Sequence, residues 1–467
     1  MIKFYNTKTR KREEFKPIKE GKVGLYTCGP TVYDFAHIGN FRAYIFEDLL
    51  RRFLNLSGFE VYHIMNITDI DDKTIRRSIE EKRSLQDFTD EYVKSFHEDV
   101  ATLRLLPAHE YPRATEFIPQ MLDMVGKLEE NGFTYTTQDG SVFFKISEFD
   151  GYGSLAKLDP DQLRAGERVE NDEYGKEEGR DFALWKGHKD SESNISWESP
   201  WGDGRPGWHL ECSAMSTHYL GNHFDIHCGG VDNIFPHHEN EIAQSCAATG
   251  EEFVNYWLHN EHLLVESQKM SKSEGNFYTL RQLLKMGYSP ESLRYTLIST
   301  HYRQKLNFTF DEIKSSQKCV NKLRELKRRA ELVDVDAAVG GQNNEATSVE
   351  MLAKFKEKLS DDLNISGALG ELFIWVNDMF SCLDNNKISS SGAEIILSTL
   401  NSVDSILCVI NNTCESEDSD EIDALIIARN DARANKEWAK ADEIRAKLDT
   451  MGVVLEDTQS GTIWKRK

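Results

Sequence analysis

Hydrophobic positions along this chain change period in a way that marks two α/β units. Residues 23–27 form a short apolar run ending in Cys28-Gly29-Pro30, which predicts a strand running into a loop. From residue 39 to 57, Ile45, Phe46, Leu49, Leu50, Phe53 and Leu54 recur at three- and four-residue spacing, the period of an amphipathic helix. Gly58 stands where a helix C-terminal cap belongs, and residues 59–65 read as a second strand. Strand, helix and strand in succession imply a parallel sheet. The pattern returns downstream. Residues 223–228 are strand-like, Gly229-Gly230 turns the chain, and Pro236 occupies a first helical position. A helix over 237–248 closes near Gly250, and 257–265 has strand character. The Gly- and charge-rich stretch between the units, roughly 119–201 and densest at 171–180, reads as an insertion into one α/β domain. After Thr300 the pattern is helical to about Cys408, and an acidic run at 415–421 reads as a solvated linker.

Composition narrows the class. The 467 residues make about three folded units at ~150 residues each. A net charge of −22 argues against a protein that coats nucleic acid or anionic membrane non-specifically. Hydrophobic residues at 39% are too plentiful for a disordered chain. No apolar run approaches the ~18 residues of a membrane span, and the charged start lacks a signal peptide's apolar stretch. These features predict a cytoplasmic protein with no membrane partner. Eight cysteines are too sparse for a disulfide scaffold. The charge reverses at the end: residues 429–467 hold nine basic and seven acidic side chains, in a chain that is otherwise strongly acidic.

Two short motifs carry nucleotide chemistry. HIGN at 37–40 falls at a strand–helix junction, where free backbone N–H groups and the helix dipole favour an anion. His37 and Asn40 add donors, and Gly39 lets a ligand approach the backbone. KMSKS at 269–273 sets Lys269 and Lys272 in a loop that can stabilise charge developing on a triphosphate. In this order on an α/β core, the two motifs resemble the paired signatures of class I aminoacyl-tRNA synthetases. Cys28, Cys212, His237 and Glu241 form a plausible zinc set, with the last two four residues apart on one helix face. By spacing alone Cys228, Cys246, His238 and Glu239 compete with them.

A closer resemblance runs nearly end to end. YTCGPTVYD at 26–34, NITDIDDK at 66–73, GWHLECSAM at 207–215, FPHHENE at 235–241 and LEDTQSGTIW at 455–464 resemble the motifs of the cysteinyl-tRNA synthetase family. That resemblance implies one zinc per chain on Cys28, Cys212, His237 and Glu241, with Cys228 left out. It implies cysteine contacts at Gly29, Thr31, Thr68 and Trp208. His37, Gly39, Asn40, Lys269, Lys272 and, for the ribose, Asp232 would handle ATP with Mg²⁺. Arg433, Trp438, Asp442 and Asp457 would read the anticodon of tRNA(Cys). The implied architecture is an α/β fold whose Rossmann-like catalytic core (1–118 and 201–268) is split by an insertion at 119–200. The signature loop and junction follow at 269–310, then an α-helical bundle at 311–412 and a small anticodon-binding domain at 422–467, in a monomer.

Three positions depart from the family pattern. Asn40 stands where many relatives carry a second histidine; it keeps a donor but no charge. Glu274 follows the lysine loop where leucine is common. Cys228, at a position more often glycine, reads as a spectator thiol prone to oxidation. Two rival readings remain: a ligase joining cysteine to an amino-sugar, which would not need residues 429–467, and a non-catalytic zinc or tRNA-binding paralogue, which would not need His37, Lys269 and Lys272.

Overall fold

The computed structural model describes residues 1–158, 181–188, 195–271, 275–333, 344–411, 425–430, 432–433, 437–450, 453–458 and 461–466, the last two as backbone. At its centre lies a four-stranded parallel sheet. In chain order its elements are β1 (Lys22–Thr27), α1 (Ile38–Leu56), β2 (Glu60–Met65), α2 (Trp208–Leu220), β3 (Phe224–Gly230), α3 (Glu239–Thr249) and β4 (Val254–Asn260). The strands are ordered β4-β3-β1-β2. β1 and β3 pair side by side although some 200 residues of chain (28–223) separate them.

Alternation along the strands divides the buried side chains between two faces. Leu25, Ile226, Cys228 and Leu258 join the apolar layer under α1, whereas Tyr26 and Trp257 face α2 and α3. The layer under α1 continues into a bundle of helices Phe310–Glu331, Glu345–Ser360, Ile365–Asp384 and Ser390–Leu407. On the first of these, Ile313, Val320, Leu323, Leu326 and Ala330 form the buried stripe. Asp362 locks the bundle to the core. It accepts hydrogen bonds from the Tyr5 N–H at 2.8 Å, the Tyr302 hydroxyl at 2.6 Å and Arg303 Nε at 2.8 Å.

The other face is covered by the helix Ile118–Glu130 with α2 and α3, and by an antiparallel sheet of Thr134–Thr136, Val142–Phe144, Phe182–Gly187 and Gly204–Pro206. The charged stretch expected at 171–180 lies outside the described residues. The chain ends in the helix Trp438–Thr450 and an antiparallel hairpin, Val453–Thr458 with Gly461–Arg466.

Two sequence expectations change. Gly229 and Gly230 do not turn the chain; they extend β3, pairing with His259 and Asn260. Glycine is needed there for space, since a Cβ on Gly229 would lie 2.8 Å from Asn233 and His238. The run expected as one strand over 257–265 is two strands. β4 ends at Asn260, and Leu263–Val265 pairs with Leu306–Phe308 and with Gln268–Lys269.

Glu47 of α1 is fully buried in the layer under the sheet, and burial pushes its carboxyl up to about 8. Its folded value lies above the unfolded 4.5. The unfolded chain therefore ionises first, and stability present below that value is lost as pH rises through the folded one. Glu47→Gln, neutral at every pH, is expected to change stability little near pH 4 and to raise it at pH 7 by on the order of 3 kcal/mol. Urea titrations at the two pH values check the sign.

Candidate active site

The sheet topology places the crevice. From β1 the chain crosses to β2 on one side, while β3 lies on the other, so strand order reverses between β1 and β3. In open parallel sheets that reversal opens a cleft at the C-terminal strand ends. Cys28 follows the end of β1, Asn66 the end of β2, and Gly230 closes β3.

One step beyond Tyr26 in the alternation, Cys28 faces α2 and α3. α2 brings Cys212, and the turn into α3 brings His237 and Glu241. The ligand atoms of Cys28, Cys212, His237 and Glu241 all lie within 4.8 Å of one another. His237 Nε2 is 3.0 Å from Glu241 Oε1, an oxygen that accepts no well-aligned hydrogen bond. A second group overlaps the first: Cys28, His227, His238 and Glu241. His227 Nε2 sits 2.9 Å from Glu241 Oε2, and His238 Nε2 is 3.3 Å from Cys28 Sγ. Behind them, His238 Nδ1 meets His259 Nε2 at 2.8 Å, and His259 Nδ1 meets the Thr7 hydroxyl at 2.8 Å. Two thiols, imidazoles and a buried carboxylate are a soft, compact donor set, and the chemistry fits zinc.

Neighbouring groups set the protonation of the cluster. A hydrogen bond from Cys28 and the adjacent His237 hold Cys212 down at about 6, whereas that shared proton and burial push Cys28 up. Burial alone would lower His237, but Glu241 and Cys212 raise it to about 10. Burial opposes ionisation of Glu241, yet His227 and His237 bring it down to about 2. A cation entering here replaces protons.

The competing ligands have other positions. Cys228 follows His227 on β3, so its side chain points to the α1 face; it is fully buried, which removes the oxidant access expected of it. Glu239 accepts the backbone N–H groups of Gly153, Leu155 and Ala156 at 2.8 to 3.0 Å and anchors that loop. Cys246 belongs to neither metal group. His227 was missed in the sequence. The signal was a histidine between Ile226 and Cys228 in mid-strand, opposite Tyr26, with which it pairs.

The nucleotide motifs meet at the start of α1. His37 is the N-cap: its Nδ1 accepts the Asn40 N–H at 3.2 Å, and its own N–H donates to Asn40 Oδ1 at 3.1 Å. The departure at Asn40 thus completes a capping box. Ile38 N–H donates to Tyr278 O at 3.0 Å, and a Cβ on Gly39 would sit 3.0 Å from Met270 Cε. The two signatures, 230 residues apart, are therefore in contact. Lys269 lies exposed on the hairpin strand Gln268–Lys269, and Asp232 is exposed after β3. Lys272 and Glu274 lie outside the described residues.

Beside the cluster, Gly29 N–H donates to Asn66 Oδ1 at 2.9 Å; a Cβ on Gly29 would fall 1.8 Å from Asn66 O, so no other residue fits. Thr31 and Thr68 bridge the two strand ends. Trp208 stacks on His237 with ring centroids 4.1 Å apart. At the far end Arg433, Trp438 and Asp442 are exposed, Trp438 at 60%, and Asp457 lies on the strand Val453–Thr458.

A parallel sheet with a cleft at its order reversal, closed by two touching nucleotide signatures, is the catalytic fold of class I aminoacyl-tRNA synthetases. A Mycobacterium tuberculosis methionyl-tRNA synthetase in complex with methionyl-adenylate shares that fold at a TM-score of 0.60 and 15% identity, over 83% of this chain and 90% of that one. Residues 14–318 match the family model for the tRNA synthetases class I (C) catalytic domain, and residues 416–464 that for the cysteinyl-tRNA ligase anticodon binding domain. The chain is 50% identical to the cysteine–tRNA ligase of Brachyspira hyodysenteriae, over 100% of this chain and 99% of the relative. It is 47% identical to that of Solibacter usitatus, over 100% of both. This chain belongs to the cysteine–tRNA ligase family.

Proposed function

We propose that this chain activates L-cysteine with ATP and transfers it to the 3′-terminal ribose of tRNA(Cys), with one zinc ion on Cys28, Cys212, His237 and Glu241 selecting the substrate thiol. What carries the reading is one juxtaposition: a buried two-thiol cluster opens on the same cleft as the contact between His37, Gly39 and Met270. Zinc, when bound, supplies a Lewis-acid position that prefers a thiolate to a hydroxyl, which separates cysteine from serine at the binding step.

The remaining roles belong to the chain. Trp208 and the Gly29–Asn66–Thr68 network fix the amino acid so that its carboxylate faces the α-phosphate of ATP, bound as the Mg²⁺ complex. The carboxylate oxygen attacks phosphorus, the bond to the β-phosphate oxygen breaks, and pyrophosphate leaves cysteinyl-adenylate behind. His37 accepts the Asn40 N–H on Nδ1, so the neutral ring carries its proton on Nε2 and offers a donor to phosphate. Lys269 and Lys272 stabilise charge on the departing pyrophosphate, and Asp232 takes the ribose hydroxyls. The terminal ribose hydroxyl of tRNA then attacks the carbonyl carbon and releases AMP. Arg433, Trp438, Asp442 and Asp457 would meet the anticodon, with Trp438 exposed for stacking on a base. A segment matching an anticodon-binding domain supports tRNA over an amino-sugar as acceptor. No helix among the described residues is long and apolar enough to cross a membrane. As part of this proposal the chain acts in the cytoplasm as a monomer.

The test is cysteine-dependent ATP–pyrophosphate exchange on zinc-replete and chelator-stripped protein, with serine as control. Exchange with cysteine alone, lost on stripping and restored by zinc, is the expected result. Silence from a folded, zinc-loaded chain would overturn the assignment.

A further inference from the structure

Glu211 stands out among the buried carboxylates around the cleft. It is wholly inaccessible, precedes the cluster residue Cys212 on α2, and has one oxygen, Oε1, with no hydrogen-bond partner. The other acids nearby are committed. Glu241 faces His227 and His237, and Glu239 holds three backbone amides. No ion pair involves Glu211 among the described residues. Among the described residues its side-chain hydrogen bond is with Thr68, whose hydroxyl donates to Oε2 at 2.9 Å.

That bond decides what Thr68 can do. A hydroxyl has one proton and two lone pairs. The proton goes to Glu211. One lone pair takes the Asn66 Nδ2 proton at 3.1 Å, and Asn66 is held in that orientation because its Oδ1 accepts the Gly29 N–H at 2.9 Å. The remaining lone pair makes Thr68 an acceptor only. It receives an N–H and has nothing to offer a carboxylate. Thr68 lies against the segment leaving Cys28: its N–H donates to Pro30 O at 3.1 Å and its carbonyl accepts the Val32 N–H at 3.1 Å.

From this geometry we infer that Glu211 is the positioning residue for the substrate's ammonium group, acting through the acceptor it makes of Thr68. The inference rests on the cysteine reading above. In cysteine, amine and thiol are separated by two carbons, so a thiol at the Cys28–Cys212 cluster places the amine beside α2. An ammonium received by Thr68 lies one hydrogen bond from Glu211, whose second oxygen, Oε1, has no partner of its own. The substrate carboxylate finds no donor at Thr68 and is turned toward the nucleotide junction, where it must react. The pair thus reads the backbone orientation of the amino acid, while the thiol cluster reads its side chain.

The experiment compares three ligands on zinc-loaded protein by calorimetry, without ATP. L-cysteine has thiol, ammonium and carboxylate; 3-mercaptopropionate lacks the ammonium; cysteamine lacks the carboxylate. Wild-type protein is expected to prefer cysteine to 3-mercaptopropionate, and E211Q to lose about 10- to 100-fold of that preference, the value of a hydrogen bond to a charged group. Cysteamine should weaken with cysteine, while 3-mercaptopropionate binding stays put. Zinc content and the melting curve report whether E211Q is intact. If it is not, Thr68→Val, which removes the acceptor and leaves the helix untouched, is expected to show the same loss. An unchanged ratio of cysteine to 3-mercaptopropionate in the intact variant overturns the role of Glu211. Wild-type protein that binds none of the three thiols would instead overturn the cysteine reading itself.

Discussion

Cys212→Ser is expected to raise the KM for cysteine at least about 100-fold and to strip much of the zinc, while the KM for ATP moves by less than about twofold. The magnitude follows from the metal: structural zinc sites are worth ~10–16 kcal/mol over four ligands, so losing one thiolate costs about 3 kcal/mol or more, roughly 10²-fold in affinity. The separation of the two substrates follows from the structure. Cys212 lies on α2 against His237, whereas the nucleotide junction is built on α1 and the hairpin carrying Lys269. Serine is nearly isosteric with cysteine, so α2 keeps its packing. Cys228→Ser supplies the control. That thiol points to the α1 face, and its loss should leave zinc content and cysteine KM unchanged. Steady-state exchange kinetics with metal analysis on both variants check this; wild-type zinc content and cysteine KM in Cys212→Ser would remove Cys212 from the site.

The contrast between Cys212 and Cys228 also shows what a sequence can and cannot convey here. Local periodicity made β1, α1, β2 and α3 legible, because each is set by contacts a few residues apart. The nucleotide junction was legible for the same reason: strand, glycine and helix N-terminus are consecutive. Which thiol faces the cluster was not legible from spacing; only the family resemblance left Cys228 out. Cys228 is closer in sequence to His237 than Cys212 or Cys28 is, and only the pleat, once β3 is paired with β1, turns His227 toward the cluster and Cys228 away. The N-terminal strands Lys3–Asn6 and Lys11–Glu14 were also unread, both being four residues long and the second wholly charged. Their place is decided by distant partners: Tyr5 N–H bonds to Asp362, and Asn6 Nδ2 donates to Asn255 O at 2.8 Å. Glu211 falls in the same class. Its neighbour Cys212 drew attention as a ligand, but its partner Thr68 comes from the other half of the split core.

His37 offers the sharpest test of catalysis, because it has two functions that a substitution can separate. It caps α1 through Nδ1, and it presents a ring N–H at a junction that favours anions. His37→Ala removes both, and losing the cap alone costs about 1 kcal/mol of stability. His37→Asn is different. Asparagine is among the best N-caps, and its side-chain oxygen replaces Nδ1 for the Asn40 N–H, yet it is too short to carry a donor to where Nε2 stood. The expected result is an unfolding free energy by urea titration within about 0.5 kcal/mol of wild type, less than the ~1 kcal/mol that a lost cap costs. The kcat for exchange should nevertheless fall by about 10²- to 10³-fold, the range for losing one oriented donor to a transition-state anion. A variant in which kcat is kept and only ATP KM rises would show that His37 binds both ground and transition states equally. A fall in kcat with unchanged stability ties the imidazole to the phosphate chemistry rather than to the helix it starts.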